Sequence, residues 1–191
     1  SDFDCVITGI NSGANLGQDV MFSGTFGAAL TAQLSGIPAI ATSLVGGGVK
    51  NGGQESASDY QVAAHEIVKL LTETSVLELL KNLPYHVLNV NIPDVQHADG
   101  IKGRKITSLG HKQAAQPVRH MIDPRGRDAY WLSLRKGKNE RPLETSIDAV
   151  QAKQDVMTDY QAVAAGYVSL SPVRLHHTPT AALERLSTLA L

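Results

Sequence analysis

The sequence predicts an α/β fold in which a parallel sheet carries helices on its faces, and three observations predict it. Short β-prone apolar runs recur at residues 3–8, 39–45 and 86–92, with helix-compatible segments at 24–35 and from Tyr60 onward between them. Glycine and proline punctuate the runs at Gly9, at Gly36-Ile37-Pro38 and at Pro93. Of the 191 residues, 42% are apolar and 18% charged, which is enough apolar material for one good core or for one domain with an appendage. A β–α–β–α–β alternation of this kind implies parallel strands with helical crossovers.

The elements follow in order. The chain opens Ser1-Asp2-Phe3-Asp4 and enters the apolar run Cys5-Val6-Ile7 within four residues, with no initiator methionine and no signal sequence, so a truncation upstream is expected. That first strand is expected to stop at Gly9. A glycine-rich loop, Gly9 to Gly17, leads to a helix over 24–35 with Ser23 as N-cap. Pro38 suits the start of the second strand, where a missing N–H costs nothing. Residues 46–58 (GGGVKNGGQESAS) read as a flexible loop or lid. The next helix places Tyr60, Ala63, Ala64, Ile67, Leu70 and Leu71 at helical spacing, with Ser56 or Ser58 available as cap. The strand 86–92 (HVLNVNI) ends at Pro93. Beyond residue 100 the texture becomes strand-rich, with runs at 103–110, 129–134 and 166–173, a turn at Asp123-Pro124-Arg125-Gly126 and a last helix opened by Thr178-Pro179. The expected division is therefore 1–99, the sheet core with its loop, and 100–191, a strand-rich extension with a terminal helix that serves as an oligomerisation arm.

Composition excludes several classes. Seventeen basic residues face 18 acidic ones, which leaves no footprint for a nucleic-acid polymer. Cys5 is the single cysteine, so there is no disulfide framework. Nothing approaches 18 consecutive apolar residues, and no membrane partner is expected. A soluble, cytoplasmic protein is expected.

Chemistry concentrates in residues 8–25, TGINSGANLGQDVMFSGT. A loop at the C-terminal end of a parallel strand lies where open α/β sheets bind ligands. Asn11 and Asn15 stand four apart around Gly13, and Ser23-Gly24-Thr25 opens a helix whose free N–H groups and positive dipole end favour a phosphate. The spacing Gly9-x3-Gly13-x3-Gly17 fits neither the dinucleotide fingerprint nor a Walker-type loop. On spacing alone, a tight turn followed by an ordinary N-cap accounts for the segment equally well. Asparagine oxygens, however, are hard donors suited to Mg²⁺ or Mn²⁺.

The run from Thr8 through Gly9, Ile10, Asn11, Gly13, Asn15, Gly17, Asp19, Val20 and Ser23 to Thr25 resembles the signature of the SurE family (survival protein E). Gly36 to Ser43, Leu88 to Pro93, Asp123 to Gly126, Tyr130-Trp131, Thr158-Asp159 and Gly166 to Ser169 resemble the family further along. The resemblance implies a Rossmann-like core with a strand-rich extension, homodimers or homotetramers, and a metal-dependent phosphomonoesterase. Its implied substrates are nucleoside 5′- and 3′-monophosphates, and polyphosphate for some members. By that resemblance Asn11 ligates a divalent cation, Mg²⁺ or Mn²⁺. Asn15 and Ser23 contact the phosphate and act in catalysis, and Gly24 and Thr25 add the helix start. An acid-phosphatase-type 5′-nucleotidase is thus expected. The family's Asn-Asp-Asp strand end does not occur upstream of Asn11. A neutral asparagine oxygen does not hold a divalent cation alone, so weak metal binding and little turnover are expected of these 191 residues by themselves. Two rivals are a non-catalytic phosphate- or nucleotide-binding domain and an oligomerisation module built from residues 100–191.

Other residues carry weaker readings. Asp19 is read first as an orienter of loop amides and second as a metal ligand. His176-His177 point to opposite sides of an extended segment. His65 is expected to be partly buried on its helix, and Cys5 to be a small core residue. His111, His120, Arg119 and Arg125 read as solvated loop residues that could face substrate. Ser43 lacks the Gly-x-Ser-x-Gly context of a nucleophile. Of Tyr130 and Trp131, one is expected to pack inward and the other to stack on a base or a second subunit.

Overall fold

A computed structural model of the chain describes residues 3–46, 60–95, 98–110, 118–132, 156–174 and 180–188. The first strand, β1 (Val6–Ser12), feeds a 3₁₀ turn at Gly17–Phe22 and helix α1 (Gly24–Leu34). Strand β2 (Ala39–Leu44), helices α2 (Gln61–Glu73) and α3 (Val76–Lys81), and strand β3 (His86–Ile92) follow. Then come β4 (Arg104–Ile106), β5 (Val118–Ile122), β6 (Asp128–Leu132), α4 (Asp159–Ala164), β7 (Val168–Arg174) and α5 (Thr180–Leu186). The expected lid at 46–58 lies outside the described residues from 47 onward, and so do Ser56, Ser58 and the Thr178-Pro179 start of the last helix.

A five-stranded sheet has the order β1-β2-β3-β7-β4. The α/β expectation holds, with a parallel core that the extension then joins. β1, β2 and β3 are parallel, but β7 runs antiparallel to β3 and parallel to β4, so the sheet is mixed. Pro172 fits this interior strand for a local reason. The N–H groups on its side of β7 serve β4, as Val168 N does toward Gly103 O at 2.9 Å, and the β4 ladder ends opposite Leu170. Pro172 lies past that end, where no ladder bond is lost.

Strand β1 does not stop at Gly9 but runs on to Ser12, with a register shift between Thr8 and Asn11. Gly9 sits at φ +108°, and a Cβ there would lie 2.3 Å from Thr42 O and 2.6 Å from Thr42 Oγ1. Glycine here makes a bulge against β2 rather than an end.

The two faces of the sheet differ. Ile40, Leu44, Leu88, Val90, Ile92, Val168 and Leu170 pack against Ala63, Ile67 and Leu70 of α2 and Val76 and Leu80 of α3. Ala39, Ala41, Val87 and Val173 pack against Phe26 and Ala29 of α1 and against Val20. Cys5 is half-buried against the first cluster, and its thiol is pushed up by burial and then by Asp4. His65 is exposed on α2, not partly buried, because the inward stripe of that helix is Ala63, Glu66, Ile67 and Leu70.

The chain divides into two compact units, 1–109 with 156–191, and 110–155. A boundary at residue 100 therefore does not coincide with the compact units. β4 and β7 belong to the main sheet because each finds its ladder partners there. The smaller unit contains the antiparallel hairpin β5–β6, whose turn is closed by Asp123 N on Arg127 O and Gly126 N on Asp123 O, both at 2.9 Å.

Candidate functional site

Register fixes which side chains share the α1 face, because residues paired across adjacent strands point the same way. The first row is apolar: Val6, Ala39, Val87 and Val173. The second contains Thr8, Ala41, Asn89 and Ser171, and the third Asn11, Ser43, Asn91 and Ser169. The sequence HVLNVNI produces this directly, since Leu88, Val90 and Ile92 take one face while Val87, Asn89 and Asn91 take the other. Asn89, Asn91, Ser43 and Ser169 are fully buried, so a polar floor lies under the loop that follows β1.

That floor holds Asn15. Its backbone N–H donates to Asn91 Oδ1 at 2.9 Å, and its carbonyl accepts from Asn89 Nδ2 and Asn91 Nδ2, both at 2.9 Å. Its Nδ2 donates to Ser43 Oγ at 2.8 Å, and the second hydrogen of that amide has no partner among the described residues. Asn11 pairs in register with the same Ser43, so the two asparagines flank one buried hydroxyl. Asn11 Nδ2 donates to Gly13 O at 2.9 Å, which fixes the carboxamide and turns its oxygen away from that carbonyl.

Helix α1 begins beside this row. Thr8 Oγ1 donates to Thr25 O at 2.8 Å, tying the first turn of α1 to the second row of the floor. Adjacent rows are about 7 Å apart, two residues of strand rise, so Asn11 lies one row beyond. Ser23 caps the helix, its Oγ accepting from Phe26 N at 3.2 Å and its carbonyl from Gly27 N at 2.9 Å. The N–H groups of Gly24 and Thr25 take no partner among the described residues and sit at the positive end of the helix dipole. A Cβ on Gly24 would meet nothing within 4 Å, and Gly24 itself is exposed.

The structure thus brings Asn11 and Asn15 together through Ser43 and sets Ser23, Gly24 and Thr25 at the adjoining helix start. Asp19 is exposed in the 3₁₀ turn. Asn89, Asn91 and Asp159, which hold the loop, were missed as site residues. The polar positions in the alternating run of β3 were the available signal for the two asparagines. Among the described residues no group of three His, Cys, Asp or Glu side chains could hold a metal ion. Asn11 offers one neutral oxygen, so the described donors alone do not complete a divalent site.

His120 and Arg125 lie in the smaller unit, where His120 Nε2 meets Asp128 Oδ1 at 2.6 Å and Tyr130, 70% exposed, tilts against the imidazole at 5.3 Å. His111, His176 and His177 lie outside the described residues, as do the side chains of Arg119 and Trp131. No helix among the described residues is long and apolar enough to cross a membrane.

Comparison with known proteins gives concordant results. Residues 1–116 match the family model described as Survival protein SurE. A protein of Psychrobacter cryohalolentis named 5′-nucleotidase SurE is 70% identical over 191 residues, covering all of this chain and 70% of that protein. One of the same name from Acinetobacter baylyi is 42% identical over 188 residues, covering 98% of this chain and 67% of its own length. The crystal structure of SurE protein from Aquifex aeolicus superposes with a TM-score of 0.61 at 30% identity, over 98% of this chain and 66% of that one.

Proposed function

The chain belongs to the SurE family, and from that premise we propose that its site binds and hydrolyses the phosphate monoester of a nucleoside 5′-monophosphate, with 3′-monophosphates as further substrates. The observation that carries this reading is the placement of Asn15. Four hydrogen bonds from the sheet floor fix it, and the following helix start has two amides without a partner among the described residues. The N–H groups of Gly24 and Thr25, the hydroxyl of Ser23 and the remaining amide hydrogen of Asn15 would surround the phosphoryl oxygens. Donors fixed before the reaction stabilise the charge that spreads over those oxygens during in-line attack, without reorganisation at that moment.

Mg²⁺ or Mn²⁺ is part of this reading, with Asn11 Oδ1 as one ligand and further oxygens required from elsewhere. Such an ion supplies charge neutralisation and an activated water when bound. The homodimer or homotetramer expected from the sequence would use the hairpin β5–β6, on which Val118, Ile122 and Tyr130 expose apolar surface.

The test is phosphate release from AMP and GMP with Mn²⁺ or Mg²⁺, with and without EDTA. Release that EDTA stops, and that Asn11→Ala cuts at least tenfold, is the expected result. AMP binding without any release would instead favour a non-catalytic nucleotide-binding domain. Asn11→Ala with unchanged turnover would refute the metal role.

A further inference from the structure

We propose that Asp159 is a positioning residue for the phosphate loop: its buried carboxylate, together with the hydroxyl of Tyr160, fixes the Leu16–Gly17 step and through it the aim of Asn15. The proposal rests on the phosphate-binding reading of Asn15 and Ser23 given above.

Asp159 is fully buried. Its Oδ2 accepts from Gly17 N at 2.6 Å, across 142 residues of sequence, and its Oδ1 accepts from Tyr160 N at 2.9 Å. Tyr160 OH donates to Leu16 O at 3.0 Å. Two consecutive residues of the loop are therefore gripped from the start of α4, immediately after Asn15 is gripped from the sheet. With neighbouring anchors on different elements, the Asn15 backbone loses the freedom to swing its carboxamide.

The grip is set on a firm support. Asp159 N donates to Ser108 O at 2.9 Å, and Ser108 N donates to Met157 O at 3.1 Å. Thr158 and Gln161 form a reciprocal capping box, and the fully buried Ala162 accepts from Tyr167 N at the start of β7. None of these contacts needs the Asp159 carboxylate. Burying a charge is costly unless hydrogen bonds repay it, and a helix start of this kind is already capped by Thr158. Beyond that cap, the carboxylate supplies the bond to Gly17 N, across 142 residues of sequence. Gly17 stands at φ +56° and opens the 3₁₀ turn that runs to Phe22, so one bond influences both Asn15 before it and Ser23 after it.

Three readouts on the full-length protein with Mn²⁺ test this: the dissociation constant for inorganic phosphate by calorimetry, kcat and KM for AMP, and amide exchange over residues 13–22 against residues 61–73. Asp159→Asn keeps the volume but replaces one acceptor with a donor. It is expected to raise the phosphate Kd and the AMP KM together by about tenfold, and to speed exchange in 13–22 while 61–73 is unchanged. Tyr160→Phe should move the same quantities in the same direction by about threefold, and it decides the matter alone if Asp159→Asn does not fold. Faster loop exchange with phosphate Kd and KM unmoved overturns the proposal, and so does an equal rise of exchange in 61–73. If the full-length wild type binds phosphate but releases none from AMP, the nucleotidase reading fails while the positioning role is still decided by Kd and exchange. If it binds no phosphate, both fall.

Discussion

Asn89 and Asn91 lie two residues apart on the same face of β3, both fully buried, yet truncating them should have very different costs. Asn91→Ala removes two hydrogen bonds to Asn15 and leaves the Asn15 N–H without its acceptor. Two net bonds of about 1 kcal/mol each, with a stranded buried donor at about 1–3 kcal/mol in place of one of them, give a polar loss of about 2–4 kcal/mol. Asn89→Ala removes one bond, to a carbonyl that Asn91 still serves. It also removes Asn89 Oδ1, the buried side-chain atom that finds no partner among the described residues. Losing that unmet acceptor offsets most of the lost bond, leaving a polar term of about 1 kcal/mol or less. The cavity and transfer terms are similar for two identical truncations on one strand and nearly cancel in the comparison. Asn91→Ala should thus be less stable than Asn89→Ala by about 2 kcal/mol, read from urea midpoints at a shared m-value. Equal costs within about 0.5 kcal/mol, or the reverse order, would refute this reasoning and show that Asn89 Oδ1 is satisfied in solution.

Three further outcomes follow from particular contacts. Gly9→Ala forces a Cβ to within 2.3 Å of Thr42 O and should lower the melting temperature far more than Gly13→Ala, which shares φ +108° but meets nothing within 4 Å. Ser23→Asp keeps an N-cap acceptor for Phe26 N, so stability should stay within about 0.5 kcal/mol of wild type, while its charge repels phosphate and raises KM for AMP; an unchanged KM would remove Ser23 from the site. On the hairpin, bonds from the Arg127 backbone and guanidinium, and then from Arg125 N, hold the Asp123 carboxyl below the usual carboxylate range. A depressed carboxyl stabilises above its unfolded value and loses that contribution as pH falls through the folded one. The Arg125 and Arg127 amide resonances should therefore stay fixed down to the ordinary Asp range and move only below it. Movement near neutral pH would contradict the assignment.

Much of the fold was legible because local signals and tertiary needs agreed. Ser23 announces α1, and HVLNVNI carries its own strand limits and both of its faces. Helix α4 was not read from the sequence: six residues are too few to show helical periodicity, and the Thr158–Gln161 pair that caps it went unread. The antiparallel seat of β7 was not legible, since nothing within Val168–Arg174 says that it pairs with His86–Ile92 rather than with a sequence neighbour. Gly9 misled because a glycine that ends a strand and one that bulges within it read alike; only the closeness of Thr42 separates the two. Asn11, Asn15 and Ser23 were singled out from their motif, and the structure sets the two asparagines about one buried hydroxyl. Asp159 was not singled out, because its partner Gly17 is 142 residues away.

The interlocked floor under Asn15 also constrains how this sequence can drift. Asn15, Ser43, Asn89 and Asn91 share their donors and acceptors, so most single changes among them strand a neighbour that was content before. An alternative set with equally good bonding is reached only when two positions change together, and the first step of such a pair is a less stable protein. Asn89, with its idle oxygen, is the cheapest place to take that step, and the row would be inherited as a block that is rewritten from there or not at all.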